Sequence, residues 1–323
     1  MNFDCYPLVF KPIIKDRIWG GEKLHTLLNK EIATQTAGES WEISTVPGDV
    51  SIVENGKFSG VSLNELLQKY PKEILGTTVY ERFGNEFPLL FKFLDARDDL
   101  SIQLHPNDLL AKKRHNSFGK TEMWYVIQAD AKAEIIVGFK DKSSSEEFLH
   151  HLEQKSLPFI LNRIPVKKGD VFFLETGTIH AIGAGVVIAE IQQTSDITYR
   201  IYDWDRVDAQ GNSRELHIDL ALDAITYDVV QAQRKYESNV NAGNLAVHCP
   251  YFTTNVIPLD GKMHFSTDRS SFRVLVCTEG EFYVEMNSYL KYSFQKGDTV
   301  LLPAALTDFE LVGKATLLEI FIS

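Results

Sequence analysis

Ser101-Ile-Gln-Leu-His-Pro-Asn-Asp108, followed by Lys120-Thr-Glu122 and Thr178-Ile-His180, is the stretch on which the reading of this chain turns. Side chains alternate between the two faces of an extended strand, so Ser101, Gln103 and His105 share one face and two candidate metal ligands project together. Glu122 and His180 can complete that set. Two imidazoles, one carboxylate and one amide oxygen form a borderline-soft, mostly neutral donor set that suits a divalent metal, with zinc foremost. Two histidines and a carboxylate also fit iron.

Outward from this stretch, the hydrophobic segments are short, rich in Val, Ile, Phe and Tyr, and bounded by Gly, Pro, Asp or Asn. Leu89 to Leu94, Met123 to Gln128, Glu134 to Phe139, Val171 to Leu174, Val186 to Gln192 and Thr198 to Tyr202 all have this form, which predicts a mainly β protein. Helical signals are confined to about 62–76, where Ser62-Leu-Asn-Glu65 reads as a capping box, to 143–156, and to 215–227. Lys168-Gly-Asp-Val-Phe-Phe-Leu174 returns as Lys296-Gly-Asp-Thr-Val-Leu-Leu302, each a Gly-Asp turn feeding an apolar strand. The echo divides the chain into two β modules, 1–235 and 236–323. His180 lies eleven residues after Gly169, whereas the same step from Gly297 reaches Asp308, so only the first module can build the metal site.

Lys and Arg total 33 against 44 Asp and Glu, and the net charge of −11 argues against nucleic acid or an anionic membrane as a partner. An anionic substrate must therefore meet a local cluster of cations. Cys5, Cys249 and Cys277 show no paired spacing, as expected for a reducing cytoplasm. The N-terminal segment lacks the basic region and apolar core of a signal peptide, and no apolar run reaches spanning length. A soluble cytoplasmic protein is the expectation. Lys92 stands inside Leu89-Leu-Phe-Lys-Phe-Leu94, where an unpaired ammonium is costly, which points to a functional or ion-paired lysine.

The Gly-Asp turn, strand and following histidine resemble the second motif of cupins, jelly-roll β-barrels with a metal inside, which implies two barrel modules with a few short helices. Gln103-Leu-His105-Pro, Gly119-Lys-Thr-Glu122-Met-Trp-Tyr, Gly177-Thr-Ile-His180-Ala-Ile and Glu190 to Trp204 are similar to type I mannose-6-phosphate isomerases in their shorter bacterial form. Arg17-Ile-Trp-Gly20 and Gly38-Glu-Ser-Trp-Glu-Ile43 fit the same family. The resemblance implies one zinc on Gln103, His105, Glu122 and His180, and interconversion of mannose 6-phosphate and fructose 6-phosphate through an enediol.

It also implies Arg200 as the group that meets the enediolate and Ser101 and Arg206 at the phosphate end, with Lys92 and Lys120 adding positive charge and Trp19 as pocket wall. Asp196, Glu190 and Lys120 are the candidate proton carriers, with Asp196 placed first because its turn is polar. Arg200 has a plainer alternative, covering apolar sheet or pairing with Glu190. Two other functions compete: an iron dioxygenase on His105, Glu122 and His180, and a non-catalytic sugar-phosphate binder. The first needs neither Gln103 nor the cations. A monomer and a homodimer are equally compatible with the sequence.

Overall fold

The computed structural model describes residues 3–207, 210–287 and 290–323. Strand Leu89–Ala96 is buried along its whole length, as its nearly continuous apolar run requires. It lies inside a seven-stranded sheet ordered Gln233–Arg234, Val171–Leu174, Glu122–Ala129, Val186–Gln193, Leu89–Ala96, Ile13–Gly21 and Ala37–Ile43. A five-stranded sheet, ordered Tyr199–Tyr202, Ile102–Leu104, His180–Ile182, Glu134–Phe139 and Leu161–Pro165, faces it.

Alternation assigns the two faces of the seven-stranded sheet to different tasks. Leu89, Phe91, Phe93, Met123, Tyr125, Ala189 and Ile191 pack outward with helix residues Leu63, Leu66 and Leu67 and with Val274 and Leu318 of a third sheet. Leu94, Trp124, Val126 and Ile188 point inward, where Ile135, Val137 and Ile182 of the five-stranded sheet meet them. Lys92, Glu122 and Glu190 fall on that inward parity, so the sheet that buries its odd positions in hydrocarbon delivers charge to the space between the sheets.

The third sheet has seven strands and contains Leu8–Val9, which pairs with Thr299–Leu302, and the long strands Thr253–Ser266, Arg273–Asn287 and Asp308–Phe321. Both Gly-Asp turns are built alike. Gly169 and Gly297 have φ of 89° and 94°, and the following carboxylates accept from the backbone of Lys167 at 2.9 Å and Gln295 at 2.8 Å.

Among the described residues the expected jelly-roll barrels are not formed, because none of the three sheets closes on itself. The paths end on Tyr199–Tyr202 and Leu161–Pro165, on Gln233–Arg234 and Ala37–Ile43, and on Leu8–Val9 and Asn244–His248. The edge at Tyr199–Tyr202 is satisfied differently. Arg200 N donates to His217 Nδ1 at 3.1 Å, and His217 N donates back to Arg200 O at 2.7 Å.

Ser62 caps helix Leu63–Lys69 in a reciprocal box with Glu65. Further helices are Pro71–Leu75, Thr77–Phe83, Asp108–His115 and Ser145–Glu153, and the 215–227 segment holds only the short helix Ile218–Leu222. Among the described residues no helix is long and apolar enough to cross a membrane.

Gly76 joins two of these helices at φ +91°, and a Cβ there would lie 2.4 Å from the Ser270 carbonyl oxygen. Thr77 and Thr78 donate to Arg269 O and Ser270 O at 3.0 and 3.1 Å, so the loop cannot back away without losing both bonds. Gly76→Ala should therefore lower unfolding free energy by about 3 kcal/mol in urea titration, against about 1 kcal/mol for the capping change Ser62→Ala. Equal losses would show that the helix–loop approach is not tight.

Candidate metal centre

Strand pairing brings the candidate ligands together from both facing sheets. His180 and Arg200 each stand opposite Gln103 in the five-stranded sheet, while Gln192 stands opposite Glu122 in the seven-stranded one. One ligand atom each from His105, Glu122 and His180 lies within 4.8 Å of the others. All three side chains are almost completely buried, with 2 %, 1 % and 2 % exposure.

Each histidine is oriented by a backbone carbonyl. His105 Nδ1 is 2.9 Å from Ile197 O and His180 Nδ1 is 2.9 Å from Thr178 O, which puts the proton on Nδ1 and makes each Nε2 an acceptor facing the site. Those Nε2 atoms stand 3.4 and 3.6 Å from the Glu122 carboxylate. Burial, aided by the nearby Lys120 ammonium, drives the His105 pKa down to about 4. Burial lowers His180 as well, so both rings are neutral at pH 7. Burial alone would raise Glu122, but Lys120 and His105 hold it well below the usual carboxylate range.

Glu122 Oε1 is buried with no hydrogen-bond partner among the described residues. Gln103 stands beside the group: its amide lies 3.5 Å from His180 Nε2, and Ser101 Oγ donates to its oxygen at 3.3 Å. A half-turn of that amide exchanges oxygen for nitrogen at the same place. An ionised carboxylate with an orphaned oxygen and two imidazole lone pairs, all desolvated, is a site a divalent cation satisfies.

A ladder of alternating charge runs from this group to the cavity wall. Lys120 hydrogen-bonds Glu122, lies 3.1 Å from His105 Nε2 and 3.9 Å from Glu190. Glu190 pairs with Lys92 at 3.2 Å and accepts from Trp124 Nε1 at 3.1 Å. Lys92 also approaches Glu39 at 3.9 Å, and Glu39 accepts from Arg17 Nε at 2.7 Å and Trp41 Nε1 at 2.6 Å. Burial would raise Glu39, yet Lys92 and Arg17 bring it down to about 2.

A cavity of about 600 Å³ opens over the ladder. Trp19, Lys92, Ser101, Gln103, Lys120, Glu190, Asp196 and Arg200 all line it. Arg200 is half-buried; its Nη1 donates to Glu215 O at 2.8 Å, while its buried Nε has no partner among the described residues. Glu190 is thus held by Lys92, Trp124 and Lys120 rather than by Arg200. Asp196 is exposed at the rim.

Arg206 stands outside the cavity lining, with its guanidinium on Asp99 O and Asp203 Oδ1, both at 2.6 Å. Arg214 lines the cavity instead, held by Asp203 at 2.7 Å. Lys15, Arg17 and Arg214 are cavity cations that the sequence reading did not single out. Alternation with Trp19 along Ile13–Gly21 was a usable signal for Lys15 and Arg17, whereas Arg214 sits in an irregular loop with no period to read.

Residues 8–159 match the family model "Phosphomannose isomerase type I, catalytic domain", and residues 242–322 match "Mannose-6-phosphate isomerase, cupin domain". The chain is 38% identical over 313 residues to mannose-6-phosphate isomerase ManA of Bacillus subtilis (strain 168), covering 96% of each chain. It belongs to the type I phosphomannose isomerase family. A mannose-6-phosphate isomerase of Streptococcus mutans is 37% identical over 310 residues and 95% of each chain. The crystal structure of the mannose 6-phosphate isomerase from Bacillus subtilis superposes with a TM-score of 0.89 at 33% identity, over 97% of this chain and 99% of that one. The phosphomannose isomerase catalytic match ends before His180, which strand pairing places opposite Gln103.

Removing one of the converging donors should empty the site without unfolding the sheets. His180→Ala is expected to weaken zinc binding by about 100-fold or more, read by competition with a chromophoric chelator. Unchanged affinity would take His180 out of the ligand set.

Proposed function

We propose that this chain is a zinc-dependent aldose–ketose isomerase that interconverts D-mannose 6-phosphate and D-fructose 6-phosphate, with one zinc held by Gln103, His105, Glu122 and His180. The observation that carries this reading is a buried donor set with a single carboxylate, behind a cavity that Gln103 and Lys120 line and whose walls carry further cations. When bound, zinc supplies Lewis-acid charge to the sugar oxygens, and mainly neutral ligands leave more of that charge available.

The remaining chemistry belongs to the chain. Aldose to ketose, a proton leaves C2 and is delivered to C1, while the O2 proton is lost and O1 gains one, so the sugar is isomerised with no net change in atoms. Glu190 is the carboxylate best placed to carry the carbon-bound proton, because it is buried at the cavity floor and oriented by both Lys92 and Trp124. Lys120 stands between Glu190 and the ligands as the donor toward the oxygens. Its pKa is raised, since Glu122 and Glu190 outweigh the burial that opposes its charge. Asp196 is solvated at the rim and lacks such neighbours, which ranks it below Glu190.

Arg200, a guanidinium on the cavity wall, is the group that meets the negative charge developing in the enediolate. Ser101 and Arg214 serve the phosphate end, and Arg206 acts on it through Asp203, the carboxylate it shares with Arg214. Three free cysteines support a cytoplasmic location for this reaction.

A coupled assay of fructose 6-phosphate formation, run before and after chelation and with zinc restored, tests the assignment; no turnover in zinc-loaded protein would overturn it. Glu190→Gln should lower kcat by about 10²- to 10⁴-fold with zinc content unchanged. Arg200→Ala should lower kcat by about 10²-fold or more with zinc retained. A Glu190→Gln enzyme with a near-normal rate would return the base to Asp196 or Lys120.

A further inference from the structure

Asp108 opens helix Asp108–His115, three residues after His105, and its carboxylate is bound from three separate directions. Oδ1 accepts from Gly119 N at 2.8 Å and from Gln193 Nε2 at 3.0 Å, while Oδ2 accepts from Tyr251 OH at 2.6 Å. Gln193 closes the arrangement: its Oε1 accepts from Thr121 N at 2.9 Å, and its own N–H donates to Thr121 O at 3.1 Å. The loop that enters Glu122 is therefore fastened on both sides of Lys120.

Gly119 shows how close that fastening is. A Cβ on it would fall 2.7 Å from Asp108 N and 3.0 Å from Asp108 Oδ1, so only glycine lets the loop lie against the start of the helix. Each partner belongs to an element with a stake in the site. Asp108 follows the His105 segment, Gln193 ends the strand that carries Glu190, and Gly119 and Thr121 flank Lys120. Tyr251 comes from the turn between Asn244–His248 and Thr253–Ser266 of the third sheet, which supplies none of the candidate ligands.

We propose that Asp108 is a positioning residue, clamped by Gln193 and by Tyr251 from the third sheet, that sets the 116–121 loop and thereby the placement of Lys120 and Glu122. The inference rests on the metal-site reading for its consequences, though not for its geometry. Carboxylates that hydrogen-bond behind a site in this way change metal affinity and rate through placement, since the donors they fix must converge within a fraction of an ångström.

The test compares Tyr251→Phe, which deletes one hydroxyl and keeps the ring, with Asp108→Asn, which keeps an acceptor oxygen, and Asp108→Ala, which removes it. Two readouts are taken: amide hydrogen exchange across residues 116–122 in zinc-free protein, and zinc release to a chromophoric chelator. Tyr251→Phe is expected to speed both by about threefold and Asp108→Ala by about 10- to 100-fold, with Asp108→Asn restoring most of the loss. In turnover, kcat should fall in the same order with KM little changed. A drop in melting temperature with exchange at 116–122 and zinc release both unaltered would overturn the proposal, and so would an Asp108→Asn protein no better than Asp108→Ala. Should Asp108→Ala fail to fold, Tyr251→Phe alone decides it. The exchange measurement needs no zinc or sugar, so failure of the isomerase reading would leave it standing, and failure of the clamp would leave isomerase activity untouched.

Discussion

The ionised Glu122 carboxylate, buried to 1 % exposure between two facing sheets, is the constraint to which the rest of this structure answers. An isolated charge at that depth costs several kcal/mol even after relaxation, and the Lys120 ammonium hydrogen-bonded to it is the group that offsets it. That solution propagates. Lys120 in turn needs Glu190, Glu190 needs Lys92, and Lys92 needs Glu39, until Arg17 reaches solvent with about a third of its side chain exposed. Along this ladder each buried charge stands beside one of the opposite sign, and it ends where water takes over.

β alternation makes such a ladder affordable to the fold. Lys92 lies opposite Glu190 across one strand pair and Trp124 lies opposite Glu190 across the next, so a single inward parity collects the polar groups. The opposite parity of the same strands is hydrocarbon packed against helices and the third sheet. Stability and chemistry are thereby segregated residue by residue along one strand rather than into different regions of the molecule.

Much of this was legible in the sequence because it is periodic. The spacing Gln103-x-His105 leads to two polar side chains at the candidate centre, the embedded Lys92 announces a buried ion pair, and the Ser62 to Glu65 box marks a helix start. What stayed hidden depends on contacts between distant segments. Arg214 enters the cavity from an irregular loop, Arg206 turns away to Asp203, and Tyr251 reaches Asp108 across 143 positions. Barrel closure belongs to the same class. Alternation reports which face of a strand is buried and says nothing about whether the first and last strands of a sheet find each other.

That failure to close has a consequence for the cavity. Its lining includes Lys15 and Arg17 from Ile13–Gly21, whose first half pairs, among the described residues, only with Ala37–Ile43, and Arg200 from Tyr199–Tyr202, the last strand of the five-stranded sheet. The cavity thus takes side chains from an edge of each of the two facing sheets. Joining those edges by a backbone ladder would set them about 4.8 Å apart, too close for a sugar to pass between them. His217 satisfies the Arg200 backbone from outside, so the edge keeps its hydrogen bonds without a neighbouring strand. The open sandwich is therefore the form of this fold that leaves a cavity of about 600 Å³ beside the candidate donors buried between its sheets.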